Sequence, residues 1–227
     1  MAQHTEKGEE LTLKDKVTRF LSTYRNIIIA LSVVILVALA AVAIYTLVMN
    51  NRIEESSIMA EELQESFEEW QSADNDEKAE LEENIVSDAE DIISRYGSLY
   101  AAARAHMVLG KLHAENDEWE DAEDRFLTVS ESFPKSYLAP VSLLSAAACR
   151  EETENLEGAV ELYQRVEADY SENSPAAAQA VFSAGRVYER LDRTDKALGA
   201  YNSIVDNFSN SSWTNLARSR IIYLETK

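Results

Sequence analysis

The sequence predicts an all-α protein, with one N-terminal transmembrane helix followed by a helical-hairpin solenoid. Three observations predict it. An uncharged apolar run fills residues 27–49. Beyond it, apolar residues recur three to five apart rather than alternating, which is helical and not strand spacing. From about residue 98 a unit recurs every 37 or 38 residues, a period that a pair of helices joined by tight turns fills.

The apolar run comes first. Its 23 residues read IIIALSVVILVALAAVAIYTLVM. At ~1.5 Å per residue such a helix covers about 34 Å, enough for a ~30 Å hydrocarbon core. A buried helix of a soluble protein is rarely apolar all round for so long. The run also continues well past the weak cleavage-like Ala38-Leu39-Ala40, whereas signal h-regions are about 7–15 residues; a retained anchor is expected. Lys14, Lys16, Arg19 and Arg25 precede the span and only Arg52 follows closely. Positive flanks stay cytoplasmic. The expectation is therefore a cytoplasmic tail at 1–26, a span at 27–49 and a domain at 50–227 outside the cytoplasm. In a diderm bacterium that means the inner membrane and the periplasm.

Charge is distributed unevenly. Residues 1–50 hold five basic and four acidic side chains, 51–100 hold three and sixteen, and 101–227 hold thirteen and twenty-one. A soluble part this acidic excludes phosphate-backbone recognition, which needs clustered Lys and Arg, and argues against lying on anionic lipid. It keeps an exposed domain soluble, or attracts basic partners. Cys149 is the only cysteine, so no intrachain disulfide forms. Its Ala-rich surroundings read as a small buried apolar position.

Residues 50–97 form an acidic helical hairpin. Ile53, Ile58, Met59, Leu63, Phe67 and Trp70 mark one helix; Leu81, Ile85, Val86, Ala89, Ile92, Ile93 and Tyr96 mark the second. Three further hairpins follow at about 98–134, 135–171 and 172–209. Leu109-Gly110, Ala146-Ala147 and Ala184-Gly185 lie on their first helices, here called A. Ala122 and Phe126, Ala159 and Tyr163, and Ala197 and Tyr201 lie on their second helices, B. The small pairs let helix B approach closely, and the aromatic one turn beyond each alanine fills the gap. Polar turns such as Glu115-Asn116-Asp117 and Asp192-Arg193-Thr194-Asp195 join A to B, and Pro134 stops a helix. Residues 213–226 read as an unpaired A helix that covers the end of the stack.

Leu109-Gly110, Ala122, Phe126 and Pro134 resemble the tetratricopeptide repeat, and Gly185, Tyr188, Ala197 and Tyr201 match it again. His106 and His113 replace its usual aromatics, Ser171 and Ser209 its closing proline, and the period is longer than the usual ~34. Closing runs like Phe133-Pro134-Lys135-Ser136-Tyr137-Leu138-Ala139 resemble bacterial envelope versions. The whole layout resembles the ancillary SecYEG translocon subunit (YfgM-like) family. That resemblance implies a periplasmic domain near the translocon exit, working with a membrane-anchored periplasmic chaperone. A structural scaffold for division or outer-membrane assembly is the alternative. Proteins of that second kind are often lipoproteins or soluble, and no lipobox cysteine stands here.

No catalytic set is legible. His106 and His113 lie seven apart, not at the i, i+4 pairing of zinc helices. There is no Gly-rich phosphate loop and no Gly-x-Ser-x-Gly elbow. No enzyme activity, cofactor, metal or small-molecule substrate is expected. A partner groove is. Aligned A helices put Met107, Leu144 and Phe182 at one place on the concave side. One turn on come Lys111, Ala148 and Arg186; one turn before come Arg104, Val141 and Gln179. This predicts an apolar stripe with scattered basic groups, open enough that Phe182 adds little to stability. Neighbouring hairpins compete for the same residues, because solenoid helix faces are shared. Met107 and Lys111 stand where the carboxylate clamp of chaperone-binding repeats would need Lys and Asn.

Overall fold

The computed structural model describes residues 13–171 and 174–226. The first twelve residues of the expected tail and the expected start of the third repeat at 172 lie outside them. The described residues form nine helices and no strand: α1 (Leu13–Ser72), α2 (Asn75–Tyr96), α3 (Tyr100–Glu115), α4 (Trp119–Ser132), α5 (Leu138–Glu152), α6 (Leu156–Tyr170), α7 (Ala176–Arg190), α8 (Thr194–Asn207) and α9 (Trp213–Thr226).

The chain divides into two units, residues 1–52 and 53–227. The first holds the apolar part of α1. Its best window has a mean hydropathy of 3.3 and buries nothing within the protein. By length and composition it can cross a membrane. No break separates the apolar run from the hairpin: α1 continues helical to Ser72.

In the second unit each helix packs on the next in sequence, and α3, α5, α7 and α9 also touch in succession. The B helices α4, α6 and α8 meet far more sparsely: Ser203 of α8 donates to Glu167 of α6 at 3.4 Å. The A helices therefore lie on the inner side of the curve. Ala122, Ala159 and Ala197 are each fully buried, as close A–B packing requires. A methyl on Gly110 would lie 2.6 Å from the Phe126 ring, and one on Gly185 would lie 2.6 Å from that of Tyr201. The absent side chain is what admits the aromatic.

The turns repeat too. Asp117, Glu154 and Asp192 have φ of 60°, 57° and 54°. The residue after each donates its N–H back five positions: Glu118 to His113, Asn155 to Arg150, Arg193 to Tyr188. These are helix C-caps of the Schellman kind, filled by acids rather than glycine. At the B-to-A turns Ser136, Ser174 and Ser211 accept, through their hydroxyls, from the N–H groups of Leu138, Ala176 and Trp213.

Two cores result. One joins Leu63, Phe67, Trp70, Ile85, Ile92 and Tyr96 of the hairpin to Ala105, Val108 and Leu112 of α3. The other runs from Ala103 and Met107 of α3 through to Ala217 of α9. Helix α3 belongs to both.

Candidate partner groove

An open groove of about 1030 Å³ lies across the A helices, at the edge where they begin. Tyr137, Val141 and Leu144 of the α5 segment form one wall, Tyr170 and Gln179 another, and Trp213 lies at the α9 end. Pro134, Pro140 and Pro175 also line it. Tyr137 is 73% exposed and Val141 42%. The Tyr137 ring stacks at a tilt on Tyr100, with centroids 5.6 Å apart. Burial, then the hydrogen bond to Tyr137, raises the Tyr100 hydroxyl above the usual tyrosine range.

Three of the eight expected residues line this groove: Val141, Leu144 and Gln179. The others lie elsewhere. Phe182 is only 8% exposed and Met107 6%. The Phe182 ring packs 5.3 Å from that of Tyr201 and 5.0 Å from that of Trp213. The expectation that Phe182 stands open on the concave surface is therefore corrected. In a solenoid the next A helix covers the apolar turn of the one before it. Arg104 pairs with Glu61 of the hairpin at 2.9 Å. Arg186 pairs with Glu151 at 3.1 Å. Lys111 is exposed.

Glu151 is the feature that sequence reading missed. It is buried, and it accepts from the Tyr163 hydroxyl at 2.7 Å, from Arg186 at 3.1 Å and from Arg190 at 3.1 Å. One repeat on, Glu189 accepts from Tyr201 at 2.6 Å and pairs with Arg220 of α9. Burial first, then the carboxylate partner, pushes both tyrosine hydroxyls well above their ordinary range. In the first repeat the equivalent positions hold Ala114 and Phe126. The hydroxyl and the carboxylate are present together or absent together. That coupling within one chain was the available signal.

The histidines do not form a shared site. His106 is half-buried with Nδ1 unpartnered, while His113 Nδ1 lies 2.6 Å from Glu118. With Asp121, that pair could hold a metal by distance alone. Glu118 and Asp121 open helix α4, however, where the dipole favours acids and disfavours a cation. Cys149 is buried, and desolvation pushes its thiol up to about 11, so it stays protonated.

The family described as tetratricopeptide repeat-like domain matches residues 18–226. The chain belongs to that family. The match includes the apolar part of α1 as well as the repeats. A tetratricopeptide repeat-containing protein of Treponema pallidum (strain Nichols) is 27% identical over 222 residues, covering 91% of this chain and 92% of its own. Among solved structures, a Rap protein complexed with competence and sporulation factor aligns with a TM-score of 0.54 at 18% identity. The alignment covers 69% of this chain and 43% of that one, so this chain spans less than half of that protein. At that identity the likeness speaks for the fold. Tetratricopeptide-like repeats of this kind serve generally as protein-interaction scaffolds.

Proposed function

We propose that this chain is a membrane-anchored adaptor without catalytic activity, whose repeats dock other proteins outside the cytoplasm. In its finer form it is an accessory subunit at the Sec translocon exit, cooperating with a membrane-anchored periplasmic chaperone. One observation carries the reading. A single helix long and apolar enough to span a membrane continues without a break into a solenoid that displays an aromatic-lined groove. Exposed aromatic and aliphatic side chains in a concave surface are the usual anchors of a protein partner. The basic flank before the span supports a cytoplasmic N-terminus. Val141, Leu144 and Gln179 are the contact residues, and Tyr137 and Trp213 join them. The other five, Arg104, Met107, Lys111, Phe182 and Arg186, do not line the groove.

Two measurements test this. Protease added to spheroplasts should digest residues 50–227 and spare the cytoplasmic tail; a protected domain would reverse the topology. The chain purified from gently solubilised membranes should bring down translocon subunits and an envelope chaperone. Recovery of division or outer-membrane assembly proteins instead would replace the translocon reading with the scaffold one.

A further inference from the structure

The outward face of α9 has no cover among the described residues. Ser174 and Ser211 hold the same turn ahead of α7 and α9, so α9 repeats α7 with Ile222 in the place of Gly185 and with Arg218 and Glu225 in those of Val181 and Tyr188. In α7 those three residues are buried. In α9 all three are exposed. A single methyl on Gly185 would already lie 2.6 Å from the Tyr201 ring of α8, and α9 carries a whole isoleucine side chain there. A further B helix of the same kind therefore does not fit this face.

What the face does carry is a repeated pattern. Leu216, Ile222 and Tyr223 are exposed large hydrophobics, Ile222 at 63%. Arg218 and Glu225 stand two turns apart along one side of the helix, and Leu216 and Tyr223 two turns apart along the other. Ser219 and Ile222 run between them. Neither Arg218 nor Glu225 has an ion-pair partner among the described residues.

That pattern is its own complement. A second α9 laid antiparallel about a two-fold axis sets Ser219 opposite the partner's Ile222, a small side chain against a large one. Leu216 then meets the partner's Tyr223, and Arg218 meets the partner's Glu225. Each contact occurs twice, as an interface between identical patches requires. Laid parallel, arginine would face arginine and glutamate would face glutamate, which repel.

We propose that two copies of this chain associate end to end through α9, packed antiparallel about a two-fold axis. The apolar side chains supply the attraction and the charges fix the direction. One pair of 14-residue helices makes a small interface, so the dimer is reversible.

The test uses the full chain in detergent micelles, as donor- and acceptor-labelled populations, with association read by energy transfer. Arg218→Glu leaves two acids on the face, and Glu225→Arg leaves two bases. Each variant alone should associate about 5- to 30-fold more weakly than the unchanged chain, because two ion pairs turn repulsive. Mixed in equal amounts, the two variants should recover the unchanged affinity. Ile222→Asp should weaken association as well. All three sites are exposed, so the melting temperature should not move. Charge variants that associate as the unchanged chain does, or whose mixture pairs no better than either alone, overturn the proposal. Transfer that Ile222→Asp leaves intact, as pairing through α1 alone would give, overturns it too. So does an absence of transfer from the unchanged chain.

Discussion

Tyr163 donates its hydroxyl proton to the buried carboxylate of Glu151, twelve residues earlier, at 2.7 Å. Tyr201 does the same to Glu189, again twelve residues back. Removing one partner leaves a buried polar group under-satisfied, which costs about 1–3 kcal/mol. Glu151→Ala should therefore destabilise the domain by that amount in a denaturant titration. The double variant Glu151→Ala with Tyr163→Phe recreates the Ala114 and Phe126 pair of the first repeat. It should cost less than the two single changes added together. Simple additivity would mean that the hydroxyl and carboxylate do not act as a unit.

Phe182 packs between Tyr201 and Trp213 in the core. Phe182→Ala should lower stability by about 3–5 kcal/mol. A melting temperature close to that of the unchanged protein would contradict the packing and return Phe182 to the surface.

Sequence reading reached the helices and the A–B register, because each rests on local residue type; of the eight expected groove residues, Val141, Leu144 and Gln179 line one cavity. Ala122, Ala159 and Ala197 must be small to let the helices meet, and their spacing shows it. The face of Phe182 was not legible. Its burial depends on Trp213, thirty-one residues on, and a residue pattern within one helix cannot say which neighbour covers which turn. Arg104 and Arg186 read as groove cations for the same reason. Their partners Glu61 and Glu151 come from other hairpins. The C-caps were read as polar turns, but nothing in Asp117, Glu154 or Asp192 announces a left-handed backbone as glycine would.

Those caps give a third stability prediction. Asp192 holds φ at 54°, a conformation that glycine adopts without a Cβ penalty. Asp192→Gly should keep or raise the melting temperature, by up to about 1 kcal/mol of stability. Asp192→Val should lower it, because a β-branched side chain is strained there. A drop for glycine and none for valine would refute the cap.

His106 carries the pH dependence. Burial, and then the nearby Arg125, lower its pKa below the usual value, with Glu90 opposing. Between the depressed folded value and ~6.5 the unfolded chain binds the proton and the folded chain does not. His106 thus contributes stability above about pH 6.5 that is lost as the pH falls. Melting temperatures taken from about pH 7 down to pH 5 should fall, and His106→Gln should flatten part of that slope. An unchanged slope would mean that His106 binds its proton equally in the folded and unfolded chain.

The central claim is that partners dock in the groove across the A helices. A photo-crosslinking amino acid placed at Val141, in the full chain in intact cells, tests it most directly. Glu161 on the outer face of α6 serves as the control position. The account predicts a discrete adduct from Val141 that peptide sequencing assigns to a translocon subunit, an envelope chaperone or an exported polypeptide, with none from Glu161. No adduct at Val141, or the same adduct from Glu161, would contradict it.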